Sequence, residues 1–382
     1  MEYTYPEYYK KFQCIAEKCE NTCCAGWGIA IDDKTLEKYR NCKGSFGNRL
    51  HNSINWKEQS FEQTDKCCAF LNEQNLCDIY SEVGKDMLCK TCKRYPRHIE
   101  EFENLREVSL SLSCPEVARI ILGRKKKTKF LTSFQETKEE EYEEFNFFLF
   151  TKLQEIRDFL MEVVQNAQMS LEYRMSFLVA VSHDIQTRIS KGKLYEIDDL
   201  LERYRQENFQ RQAEKKFAEY SGCPVESYEA KKQIYKNLYE LEVLDENWTK
   251  RLKAYEELLY KEGEEAYQKS RQEFRNYYKA QEYQYTQILV YFLFGYFGGA
   301  VYDENAYDKV RFAVVNTLLI QEMDIALWIS NGKKMDFGGQ VDLVHRFARE
   351  MEHSDPNLEE MEVMIGYQEE YSLENLLYCI WN

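Results

Sequence analysis

From about Lys138 onward, apolar residues recur at three- and four-residue spacing almost without interruption. That period places one face of a helix against a core. It predicts helices over Glu139–Gln165, Leu171–Ile189, Ile197–Tyr220, Ser227–Leu244, Asn247–Lys279, Gln281–Phe297, Ala306–Ser330 and Gln340–Glu352. Breaks fall at Gly192, Ser221-Gly222-Cys223-Pro224, Gly298-Gly299 and Gly332, as small and ring-locked residues require. The first 115 residues lack this period. There Gly28–Asp32 is a strand candidate and Lys34–Arg40 a short helix. Between Tyr95 and Cys114 the pattern changes to alternation, with Val108, Leu110 and Leu112 interleaved with Ser109, Ser111 and Ser113. With Asn104 at the turn, this is a hairpin. Pro115 then suits the first position of a helix capped by Ser113 or Cys114 and stopping at Gly123. The expected fold is mainly α. A small irregular cysteine-rich region (1–123) with a β-hairpin leads through a basic linker (124–137) to an acidic helical bundle (138–382).

Charge and cysteine content divide at the same place. Residues 1–134 carry 22 basic and 19 acidic side chains, a net of +3, while the remainder carries 29 and 47, a net of −18. An acidic total disfavours nucleic acid, whose binding rests on phosphate contacts. The one basic block, Arg124 to Lys129, reads as a solvated linker. The most apolar stretch, Ile288–Tyr302, is short for a membrane span and reads as a buried helix. The first residues show no basic segment leading into an apolar one, so a cytoplasmic location is expected.

In a reducing compartment, clustered thiols point to metal or catalysis rather than disulfides. Eleven of 13 cysteines lie between Cys14 and Cys114, an odd total with two adjacent pairs, Cys23-Cys24 and Cys67-Cys68. Thiolates on short turns converge on one point, as zinc and iron–sulfur clusters both require. The spacing is irregular, there are more thiols than one zinc needs, and Cys114 precedes Pro115. These features favour a [4Fe–4S] cluster, with zinc as the alternative. The candidate ligands are Cys14, Cys19, Cys23, Cys24, Cys68, Cys77, Cys89, Cys92 and Cys114; Cys42, Cys223 and Cys379 fall outside the spacing.

These residues carry a resemblance. The run Cys14…Cys19-Glu20-Asn21-Thr22-Cys23-Cys24-Ala25-Gly26-Trp27-Gly28-Ile29 is similar to the start of the flagellin lysine N-methylases. So are Cys68-Ala69-Phe70-Leu71, Cys77-Asp78-Ile79-Tyr80, Cys89-x2-Cys92-Lys93-Arg94-Tyr95-Pro96 and Leu112-Ser113-Cys114-Pro115-Glu116. Alone, this segment resembles the broader zinc- or iron-chelating cysteine-cluster domains. The late run His345-Arg346-Phe347-Ala348-Arg349-Glu350-Met351-Glu352-His353-Ser354 narrows the match. The resemblance implies a methyltransferase that uses S-adenosylmethionine and an iron–sulfur cluster to modify flagellin lysines. The sequence has neither a C-x3-C-x2-C signature nor a strand followed by a glycine-rich loop, so it does not place S-adenosylmethionine.

The late helix offers catalytic candidates. His353 lies three residues from Glu350 and four from Arg349, spacings that share a helix face. A carboxylate and a histidine suit a reaction that needs a neutral amine. Two other function classes stay open: a non-catalytic, metal-stapled helical interaction protein, and an iron–sulfur redox protein.

Overall fold

The computed structural model describes residues 1–19, 21–136, 142 and 145–382. The helical expectation holds for the bulk of the chain. Leu171–Ile189 and Ala306–Ser330 appear with the bounds their patterns predict. Each starts at a side-chain cap: Ser170 accepts from the Tyr173 amide, and Asn305 from that of Asp308. Such caps satisfy amides that the first turn leaves free. Ala306–Ser330 is the central helix, packed against Leu171–Ile189, Trp248–Tyr260, Tyr283–Tyr296, Phe337–Glu352 and Asp355–Tyr367. It is long and apolar enough to cross a membrane, but 83% of its most apolar window is buried within the fold. Tyr283–Tyr296 is likewise a buried helix.

Other segments divide where local chemistry interrupts them. The expected helix Asn247–Lys279 is two helices, Trp248–Tyr260 and Glu264–Tyr278. Between them Gly263 adopts φ +86°, a value that ends a helix and suits glycine. Ile197–Tyr220 breaks at Gln206, whose backbone is extended. Ser227–Leu244 is helical only over Pro224–Asn237, and turns fill the rest. The Phe147–Val164 helix starts later than the Glu139–Gln165 pattern suggests; part of that earlier stretch lies outside the described residues.

The hairpin is present but belongs to a larger sheet. Strand β1 is Glu2–Pro6, β2 Arg97–Phe102, β3 Leu105–Leu110 and β4 Phe130–Phe134. Their spatial order is β2-β3-β1-β4. β1 runs parallel to β3, with Glu2 opposite Leu105, and antiparallel to β4, with Thr4 opposite Thr132. The basic segment 124–137 is therefore not wholly a connector, because β4 lies in it. All six residues of β3 are buried, its alternating serine included. Gly28–Asp32 forms no strand; only an isolated bridge from Ala30 to Ser60 occurs there.

Among the described residues, two apolar cores result. The larger one joins the helices to Tyr8, Phe102, Leu110, Leu112 and the helix Pro115–Leu122. The smaller is built on Ile29, Ile31, Leu36, Tyr39, Phe61, Phe70 and Ile79, with Cys68 and Cys89 inside it.

Candidate functional site

The thiols sort into two neighbourhoods. In the first, Cys24 hydrogen-bonds with Cys23 and Cys77, and Cys89 with Cys92. Cys68 interacts with Cys24, Cys77 and Cys89. The hydrogen bond with Cys23, and then burial, push the Cys24 thiol up to about 12. Burial pushes Cys68 up to about 11. Cys92 is raised by its bond with Cys89, and Cys89 is lowered by the same bond. In the second neighbourhood Cys14, Cys19 and Cys114 interact, and burial pushes Cys114 up to about 11.

This is the donor chemistry of a thiophilic metal, since a metal resolves the mutual repulsion that keeps clustered thiols protonated. The thiols are not gathered round one point, however. Among the described residues, no three His, Cys, Asp or Glu side chains form a metal-holding group.

The late helix, Phe337–Glu352, reaches the cysteine region through Arg349. Its guanidinium donates from Nη2 to the carbonyl of Thr22 at 3.0 Å and to that of Ala25. Gly26, at φ +84°, lets the chain turn here, and an added Cβ would stand 3.6 Å from the guanidinium. Between the two regions lies a cavity of about 460 Å³, walled by Thr22, Gly26, Lys66, Asp245, Arg349 and Glu350. Asp65 and Glu246 form an exposed acidic rim.

Glu350 lines this cavity, but its oxygens are already engaged. Oε2 accepts from the Leu244 amide at 2.9 Å and Oε1 from the Asp245 amide at 2.7 Å. Burial raises its carboxyl. His353 looks elsewhere. Its Nε2 lies 2.8 Å from Ser113 Oγ, and its ring packs tilted against Trp27, with centroids 4.6 Å apart. Burial, and then the Arg349 charge, push the imidazole down to about 3, so it is neutral at pH 7. The expected pairing of Glu350 with His353 on one face is therefore not formed. The two residues diverge at the helix end, one toward the 244–245 loop and one toward the hairpin.

The carboxylate that does join His353 is Glu352. Ser113 Oγ lies 2.7 Å from Ser111 Oγ, and Ser111 donates to Glu352 Oε2 at 2.8 Å. Tyr291 and Tyr296 donate to Glu352 Oε1, at 2.5 and 3.0 Å. Sequence reasoning missed this buried chain. Its signal was the alternating serines, whose second face meets the helix instead of water.

Residues 157–379 match the family described as the FliB lysine N-methylase C-terminal domain. The lysine-N-methylase of Salmonella typhimurium is 31% identical over 129 residues, which is 31% of this chain and 32% of that protein. The flagellar biosynthetic protein FliU of Salmonella muenchen is 31% identical over 129 residues, 31% of this chain and 76% of its own length. The match thus spans about a third of the lysine-N-methylases. No solved structure matches.

Proposed function

Since the chain belongs to the FliB lysine N-methylase family, we propose that it methylates lysine ε-amines on flagellin. The donor in this reading is S-adenosylmethionine, which supplies a methyl group activated on a sulfonium. The observation that best supports it is the junction cavity, where the family's late helix and the cysteine loop meet through Arg349. An incoming lysine ammonium meets Asp65, Glu246 and Asp245 first. Arg346 and Arg349 line the walls further in, and Lys66 is exposed at the mouth beside Asp65. Like charges disfavour a second cation, so these walls favour the neutral, nucleophilic amine. With both oxygens held by amides, Glu350 shapes the wall rather than accepting the proton.

The test is incubation of the full chain with flagellin and S-adenosylmethionine, followed by mass measurement of the flagellin. One methyl increment or more per modified lysine is expected. No increment under either reducing or oxidising conditions overturns the reading. Reversing the rim with Asp65→Lys and Glu246→Lys should raise the KM for flagellin about tenfold and leave kcat nearly unchanged, because the rim acts on encounter. A KM that stays at the wild-type value would mean the lysine enters elsewhere.

For the metal that the cysteine pattern predicts, iron–sulfur or zinc, we assign the larger thiol neighbourhood. Cys89→Ser with Cys92→Ser should abolish metal retention in anaerobically prepared protein and lower its melting temperature, because ligand binding there is also folding energy. Cys42→Ser is the control and should change neither. Unchanged metal content in the double variant excludes that neighbourhood.

A further inference from the structure

A second cavity, also of about 460 Å³, lies within the helical body and apart from the junction. Arg271 lines it and is only 8% exposed. The other buried arginines of this body are well partnered. Arg157 is paired with Glu107, Arg311 with Asp308, and Arg174 donates to the Val164 and Ser170 carbonyls and the Thr286 hydroxyl. Among the described residues Arg271 has no ion pair within 4 Å, and its one hydrogen bond is a long one, 3.5 Å from Nη2 to the Ile380 carbonyl. The buried carboxylate nearby, Glu322, is already engaged. It accepts from Tyr260 at 2.9 Å and Tyr267 at 2.8 Å, and Lys231 stands 3.5 Å away. A guanidinium offers five donors in a planar fork, and burying it without an anion is costly.

We propose that this cavity binds the carboxylate of a small, partly apolar organic acid, with Arg271 as its anchor. The fork matches a carboxylate in two parallel hydrogen bonds. Leu171, Met175, Phe274 and Ile325 give the apolar walls. Glu282, also on the lining, stands 3.5 Å from Arg174 but keeps a side chain 39% exposed that can meet the ammonium of an α-amino acid, so amino-acid-headed ligands are one source of the carboxylate and simple acids the other. The cavity volume falls in the range of small-molecule sites. This proposal does not rest on the methylase reading.

Titration calorimetry of the full chain without flagellin tests it, with methionine, S-adenosylhomocysteine and 3-phenylpropionate as probes. At least one should bind, and Arg271→Met should weaken it at least about tenfold. Binding of the first two alone marks an amino-acid head; binding of all three marks a plain carboxylate site. The unliganded Arg271→Met protein should melt no lower than wild type, since it loses an unpaired buried charge. Should that variant misfold, Arg271→Lys keeps the charge but not the fork, and weaker binding by a folded protein supports the proposal in the same way. Binding of no probe, or equal binding by wild type and the folded variant, overturns the proposal. Flagellin methylation that persists beside either result leaves the methylase reading standing.

Discussion

Arg157→Met is expected to destabilise the protein by about 3–5 kcal/mol, the cost of leaving a buried charge without its partner. Arg157 and Glu107 are 8% and 3% exposed. Their contact is bidentate, Nη1 to Oε2 at 2.5 Å and Nη2 to Oε1. Glu107 sits on the interior strand β3 and Arg157 on the helix Phe147–Val164, so the pair ties sheet to bundle. Methionine keeps much of the stem's packing but leaves Glu107 desolvated and alone. It also removes the guanidinium from the face of Phe294, 5.4 Å from the ring centroid. The double variant Glu107→Leu, Arg157→Met should recover most of the loss, because apolar replacement of both ions removes the desolvation cost. Urea unfolding of the three proteins decides it. A single variant as stable as wild type would show that the pair contributes little.

In the proposed reaction, Arg349→Met should lower methylation of flagellin at least about a hundredfold, the effect of misplacing a site by about an ångström. Among the described residues, Arg349 is the side chain of the late helix that holds the Thr22 and Ala25 carbonyls. Without it, the loop carrying Cys23 and Cys24 loses its tether, and two carbonyls lose a charged donor. Hydrogen bonds of that kind are worth about 1.5–3 kcal/mol each, so melting should fall as well. Arg349→Lys should restore only part of the activity, since both carbonyls accept from Nη2 and the lysine ammonium ends one bond short of that position. Activity of the folded methionine variant within a few-fold of wild type would return Arg349 to a packing role and remove the junction from the mechanism.

Much of this architecture is legible in the sequence, and the limits have physical reasons. Leu171–Ile189 and Ala306–Ser330 declare themselves because cap, period and length agree within one segment. The hairpin is equally local. The sheet around it is not, because β1 pairs with strands more than a hundred residues away, and Glu-Tyr-Thr-Tyr-Pro is too short an alternation to announce it. The clustering of thiols is visible from spacing, but their division is not, since Cys114 joins Cys14 and Cys19 only through the fold. At the site, Arg349 is legible through the resemblance, whereas Glu350 and Glu352 look interchangeable. They are two residues apart on one helix and so point in widely different directions. Only the position of the hairpin decides which of them meets the serines.

The order of the strands has a further consequence. β1 and β2 lie in one sheet with only β3 between them, so their backbones are about 10 Å apart at usual strand spacing. Everything from Phe12 to Pro96 leaves and re-enters the sheet through that narrow gate. In topological terms the thiol-rich unit is an insertion, with its own core and closely set ends, the arrangement in which chains tolerate inserted domains. Such a unit can be exchanged for another without redrawing the sheet and helices that carry it.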